Sequence, residues 1–78
     1  MASVIIYSTP FCVYCKMAKT YFAEKNVQFQ EKNVASDLGA REEMLKKSGQ
    51  MGVPVIDVDG KIIIGFDKPK LQKLLNIK

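Results

Sequence analysis

The chain has no histidine and no tryptophan, only two cysteines, and a single arginine among its 78 residues. Without a histidine or a third cysteine, one copy cannot assemble the four ligands of a closed zinc site; a metal would need a second chain or an external thiol. The two cysteines, Cys12 and Cys15, are too few for a secreted disulfide scaffold, and the loop between them is too short to staple a fold. No apolar run approaches the roughly 20 residues of a bilayer span. The strongest, Val4-Ile5-Ile6 and Ile62-Ile63-Ile64, are strand-length, so no membrane association is expected. Met1-Ala2-Ser3 leads straight into Val4 with neither the basic start nor the long apolar core of a secretory signal, which makes the cytoplasm the expected compartment. The net charge of +4 comes from lysines dispersed along the chain, among them Lys16, Lys19, Lys47, Lys68 and Lys78. Nucleic-acid binding would call for clustered charge, arginine and exposed aromatics, so it is not expected. The field instead favours anionic substrates or acidic partner surfaces.

What is present describes an ordinary globular chain: 47% apolar and 26% charged residues, a balance that excludes disordered and membrane classes. The length gives room for one domain, residues 1–78, expected to act as a monomer. Ser3–Tyr7 is rich in β-branched residues and ends at the turn-forming Ser8-Thr9-Pro10, predicting a short buried strand. From Val13 to Lys25 the positions Met17, Ala18, Tyr21 and Phe22 recur at helical spacing, with Asn26 as a left-handed terminator. Val27, Phe29 and Glu31 alternate with Gln28 and Gln30, predicting a second strand that runs to Asn33. Ser36 or Asp37 can cap a second helix with Leu38, Met44 and Leu45 inward. In that helix Glu42 and Glu43 stand four residues before Lys46 and Lys47, and Gly49 stops the run. Val53–Val58 and Lys61–Ile64 read as strands joined by Asp59-Gly60, a tight hairpin turn. Asp67 then caps a last helix, with Pro69 in its first turn and Leu71, Leu74 and Leu75 on one face. The order β-α-β-α-β-β-α predicts an α/β, thioredoxin-like fold: a four-stranded mixed sheet flanked by three helices.

Cys12-Val13-Tyr14-Cys15 lies where the first strand hands over to the first helix. This puts Cys12 at the helix N-terminus and Cys15 one turn inside. Unpaired backbone N–H groups and the helix dipole favour a thiolate at Cys12, so its pKa is expected to fall below the roughly 8.5 of a free cysteine. Cys12 is then the nucleophile that forms a mixed disulfide with the substrate, and Cys15 the thiol that resolves it. Two blander readings stand beside this one: a pair of buried, inert cysteines, and a dimeric zinc or iron–sulfur binding module held through Cys12. Pro54 fits a strand start, where base rates favour a trans bond; Asp67 has a sufficient role as a cap, and Tyr14 can be an ordinary exposed helix residue.

From Val4 to Leu75 the chain resembles the glutaredoxin family. Four segments carry the resemblance: Cys12-Val13-Tyr14-Cys15, Ser48-Gly49, Gly52-Val53-Pro54 and Gly65-Phe66-Asp67. The resemblance implies a glutathione-linked thiol-disulfide oxidoreductase that reduces protein disulfides and glutathione mixed disulfides, with no tightly bound cofactor and glutathione as co-substrate. It further implies a cis bond before Pro54 and a glutathione groove lined by Tyr14, Val53, Pro54, Phe66 and Asp67. The chain departs from the common pattern at Thr9, Val13, Gly52 and Ile64. At Thr9 many glutaredoxins carry a lysine that meets a glutathione carboxylate, a part that Lys16, Gln50 or another lysine would have to take. The Cys-Val-x-Cys form and Gly65-Phe66 followed by a proline are also similar to small glutaredoxin-like redoxins. Thioredoxin reductase reduces those proteins, and they donate electrons to ribonucleotide reductase. Thioredoxin proper fits less well, since the tryptophan and glycine-proline usual around its dithiol are missing.

Overall fold

The computed structural model describes residues 3–76; the Met1-Ala2 start and Lys78 lie outside the described residues. The elements follow the expected order: β1 (Val4–Ser8), α1 (Val13–Glu24), β2 (Gln30–Asn33), α2 (Leu38–Ser48), β3 (Val55–Val58), β4 (Lys61–Ile64) and α3 (Lys68–Leu75). The sheet order is β2-β1-β3-β4, with β1 parallel to β2 and antiparallel to β3, and β3 antiparallel to β4. The parallel β1-α1-β2 crossover and the β3–β4 hairpin are the two halves of a thioredoxin-like mixed sheet.

Side chains alternate along β1, so its residues feed two cores. Val4 and Ile6 join Ala18, Tyr21 and Phe22 of α1 and Leu71 of α3 on one face. Tyr7 joins Val55 and Ala40 and Met44 of α2 on the other. The central strands β1 and β3 are thereby covered on both sides. Each fully buried Phe, Ile or Leu removed from water in these layers contributes about 1.5–3 kcal/mol.

The helix ends follow the local chemistry. At the end of α1, Asn26 adopts a left-handed φ of 57°, and the Asn26 and Val27 N–H groups donate to the carbonyls of Ala23 and Phe22. That paired pattern is a Schellman stop, with Val27 packing back on the core. It also shortens β2: Val27 is tied to the helix end, so pairing with β1 begins only at Gln30 opposite Ile5. The expected strand from Val27 is thus corrected to four residues. β3 likewise begins at Val55, two residues later than expected, after a cis Val53–Pro54 bond. The base-rate expectation of a trans bond is overturned, and the family resemblance had the right isomer.

Asp37 caps α2 through its carboxylate and the Ala40 N–H, and Gly49 ends the helix at a φ of 73°. The inward face differs from the expected one. Ala40, Met44 and Lys47 turn toward the sheet, while Leu38 is 72% exposed and Leu45 43% exposed. With Ala40 and Met44 facing the sheet, Leu38 lies about 120–160° and Leu45 about 100–140° around the helix from that stripe. Met17 of α1 is displaced in the same way, opposite Cys15 and Ala18, and is half-exposed. The hairpin turn is as expected, with positive φ at Asp59 and Gly60. Asp67 caps α3 by accepting from the Lys70 N–H, and Leu71 is buried with Leu74 and Leu75 packed around the same core.

Candidate active site at the start of the first helix

The loop leaving β1 turns at Thr9, whose carbonyl accepts from the Cys12 N–H. Cys12 then takes the N-cap position of α1 with extended backbone angles, and its sulfur accepts from the Cys15 N–H at 3.1 Å. A thiol here occupies the place where serine or aspartate normally meets the orphan N–H groups of a helix start. The first turn of α1 holds no acidic residue. The two sulfurs differ sharply in environment: both are free thiols, Cys12 is partly exposed, and Cys15 is fully buried. Burial pushes the Cys15 thiol up to about 12, helped by its contact with Cys12 and opposed by the Thr9 backbone and the Lys19 charge. One sulfur can meet a substrate, while the other is held protonated beneath it.

Beside Cys15, a small polar cluster fills the gap between α1 and β2. The Ser8 hydroxyl donates to Glu31 at 2.7 Å, and Lys19 pairs with the same carboxylate oxygen at 2.7 Å. Lys19 and Ser8 hold the Glu31 carboxyl below the usual carboxylate range. Glu31 was expected to alternate inward with Phe29; it does lie on the α1 side, but as a charged partner rather than as core.

The five residues expected to form the second half of the site share one open groove of about 580 Å³: Tyr14, Val53, Pro54, Phe66 and Asp67. Three chain segments far apart in sequence meet there because of the register. Tyr7 pairs with Val55 and Val55 with Ile64, so the loops after β1, before β3 and after β4 emerge side by side. The Gly65 N–H donates to the Pro54 carbonyl at 2.8 Å, and Gly65 takes a φ of 81° to turn Phe66 and Asp67 into α3. Cys12 is not itself among the lining residues; Tyr14, two residues further along the chain in the first turn of α1, is.

Lys68, Ile64 and Pro69 also line this groove and were missed by sequence reasoning. The sequence left open which lysine would stand near the groove in place of one at Thr9; Lys68 is the lysine in the lining among the described residues. Lys16 lies outside that lining. Gln50 is engaged locally, its amide bonded to both the N–H and the carbonyl of Gly52.

A four-stranded mixed sheet with a dithiol at the start of its first helix defines a thioredoxin-like redox protein. The family model for glutaredoxins matches residues 4–63. A glutaredoxin-like 8.6 kDa protein in the rubredoxin operon of Clostridium pasteurianum is 53% identical over 70 residues, covering 90% of this chain and 93% of that one. Glutaredoxin 3 of Escherichia coli K12 is 43% identical over 67 residues, 86% of this chain and 81% of that one. The glutaredoxin-like protein NrdH of Lactococcus lactis is 34% identical over 74 residues, 91% of this chain and 97% of that one. Among solved structures, a mutant form of the thioredoxin-like protein BC3987 matches with a TM-score of 0.93 at 33% identity, covering 100% of both chains. The chain belongs to the glutaredoxin family and is a thiol-disulfide oxidoreductase.

Proposed function

We propose that the protein reduces glutathione mixed disulfides and protein disulfides in the cytoplasm, with Cys12 as nucleophile, Cys15 as resolving thiol and glutathione as electron source. The Cys12 thiolate attacks one sulfur of the substrate disulfide. That S–S bond breaks, one substrate thiolate leaves and takes a proton, and the other half stays on Cys12 as a mixed disulfide. Cys15 then gives up its proton and attacks the Cys12 sulfur, releasing the second thiol and leaving a Cys12–Cys15 disulfide. Two electrons have moved from the protein to the substrate. Two glutathione molecules restore the dithiol and become glutathione disulfide.

The observation that carries this reading is the convergence of Tyr14, which lies between the two cysteines in the chain, with Val53, Pro54, Phe66 and Asp67 on one groove. In it, the backbone edge at Val53 would pair with the glutathionyl chain and Asp67 would meet its γ-glutamyl amine. Lys68 stands available for a carboxylate. No group of three histidine, cysteine, aspartate or glutamate side chains gathers among the described residues, so a shared-metal module would need ligands from a second chain. No helix among the described residues is long and apolar enough to cross a membrane.

A second reading has its own support. Thr9 leaves the groove without its usual lysine, and the likeness to the NrdH protein extends over nearly all of both chains. In that reading thioredoxin reductase supplies the electrons and ribonucleotide reductase is the acceptor. One assay separates the two: turnover of a small glutathione mixed disulfide with glutathione, glutathione reductase and NADPH, beside the same reaction with thioredoxin reductase and NADPH. Turnover in the first supports glutathione, and turnover only in the second transfers the function to the redoxin class. Loss of all turnover in Cys12→Ser, with Cys15→Ser still processing glutathione mixed disulfides, is the expected pattern for the two thiols. Full activity of Cys12→Ser would overturn the assignment.

A further inference from the structure

A second groove, about 370 Å³, runs along α1 toward the start of α3. It begins at Val13, beside Cys12, and follows the exposed side of α1 through Met17, Thr20 and Tyr21, with Phe66 and Lys68 as its other wall. Phe66 and Lys68 also line the first groove, so the two are continuous across the aromatic ring.

Several independent features mark it as a place for a polypeptide. Two apolar side chains of its lining are open to solvent next to the dithiol, Val13 at 69% and Met17 at 46% exposure, and Phe11 and Tyr14 beside them are 94% and 62% exposed. Isolated exposed apolar residues are ordinary, but a cluster around a reactive sulfur is the sign of a contact surface. The Tyr21 hydroxyl is buried in the wall with no hydrogen-bond partner among the described residues, although its ring is packed edge-on against Phe66 at 5.8 Å. Charge selects the occupant. Lys16 and Lys68 flank the groove, and neither has a carboxylate partner among the described residues; the Lys68 ammonium lies 5.5 Å over the Tyr21 ring. Glu24 is the single carboxylate in the lining among the described residues, at its far end from Cys12.

We propose that this groove seats the acidic segment flanking the disulfide of a protein substrate, so that protein selectivity is set along α1, beside the glutathione groove with which it shares Phe66 and Lys68. The proposal rests on Cys12 being the attacking sulfur. With a substrate sulfur at Cys12, the adjoining residues run along Val13 and Met17, an apolar side chain meets Met17 and Phe66, and the acidic groups reach Lys16 and Lys68. Complementary charge of this kind acts mainly on encounter and orientation, and it weakens with salt.

The test uses the pre-reduced protein in single turnover, which removes any dependence on the electron donor. Three peptide disulfides identical except for flanking Asp/Glu, Ser or Lys residues are compared with hydroxyethyl disulfide, a small substrate that does not reach the groove. The acidic peptide is expected to react about tenfold faster than the lysine peptide at low salt, with the gap closing at high salt. Thr20→Glu, on the groove floor, should slow the acidic peptide about fivefold, and Thr20→Lys should speed it two- to threefold; both should leave hydroxyethyl disulfide unchanged. Equal rates for acidic and basic peptides, or equal behaviour of the two Thr20 variants, would overturn the proposal. Failure to reduce any disulfide, the small one included, would instead overturn the role of Cys12.

Discussion

The contrast between the two thiols gives a quantitative expectation for alkylation. Raising a thiol from 9.0 to about 12 cuts its ionised fraction near neutral pH about 1000-fold, while the greater basicity returns about 15- to 30-fold in nucleophilicity. The balance is about 30- to 70-fold slower reaction than for an unstructured cysteine, and complete burial of Cys15 slows it further. Reduced protein treated with iodoacetamide at about pH 7.5 should therefore gain one adduct, on Cys12, read by intact mass and peptide mapping. In urea both cysteines should react at similar rates. Cys12→Ser removes one of the contributions that raise Cys15 but leaves burial, the largest, so Cys15 should stay slow in that variant. The pH dependence has a definite sign. The folded value lies above the unfolded one, so the stability from keeping this thiol protonated is complete below about 9 and is lost as the pH rises toward about 12. Alkylation of Cys15 in the folded protein at the rate of a free thiol would refute the reasoning, because neither burial nor suppressed ionisation could then hold.

Three further outcomes follow from charged groups elsewhere. Lys47→Met leaves Asp57, whose side chain is only 9% exposed and which pairs with Lys47 at 2.7 Å, with no cation and only the Gly60 N–H donating to it among the described residues; unfolding in urea should show a loss of about 2–4 kcal/mol. Adding Asp57→Asn should restore most of it, and an unchanged midpoint in the single variant would show the pair to be dispensable. Glu31 is held below its ordinary pKa by Lys19 and Ser8, so it stabilises the fold above the ordinary value of 4.5 and that contribution is lost as the pH falls through its lowered folded value. Glu31→Gln should flatten the acid limb of stability against pH, and an unaltered acid limb would count against the cluster. Asp67→Ala should cost about 1 kcal/mol through loss of the α3 cap and raise KM for glutathione mixed disulfides, whereas Asp67→Ser should keep the cap and still raise KM. Equal KM in wild type and both variants would remove Asp67 from the groove.

The order of elements was legible because each boundary carries a residue with a local reason to be there: Asn26, Asp37, Gly49, Asp59-Gly60 and Asp67 all act at the expected positions. The dithiol was legible for the same reason, since its place at a strand-to-helix junction is a local property. The orientation of α2 was not. Its sequence offers two faces, and the one chosen carries Lys47, a charged residue that a search for apolar stripes discards. Lys47 belongs inward because Tyr7 and Asp57 meet its ammonium at 2.8 and 2.7 Å, with that ammonium 5.3 Å from the centre of the Tyr7 ring. Burial works against that charge, and the two oxygens more than offset it, so the Lys47 pKa rises. Leu38 and Leu45 are left outside as the consequence of a polar contact between residues ten and forty apart in sequence.

The groove depends on the same kind of nonlocal fact. Nothing in Val53-Pro54 or Gly65-Phe66-Asp67 alone says that they meet; the register does, by setting Tyr7 against Val55 and Val55 against Ile64. A slip of β3 by one residue against β1 would turn Val55 away from Met44 and send Asp57 toward the apolar layer of Phe22 and Leu71. The buried Asp57–Lys47–Tyr7 contact is therefore more than a local ion pair. It penalises the wrong register of the strands whose ends bring the groove together, and so couples the polar face of α2 to the geometry of a site at the end of the sheet.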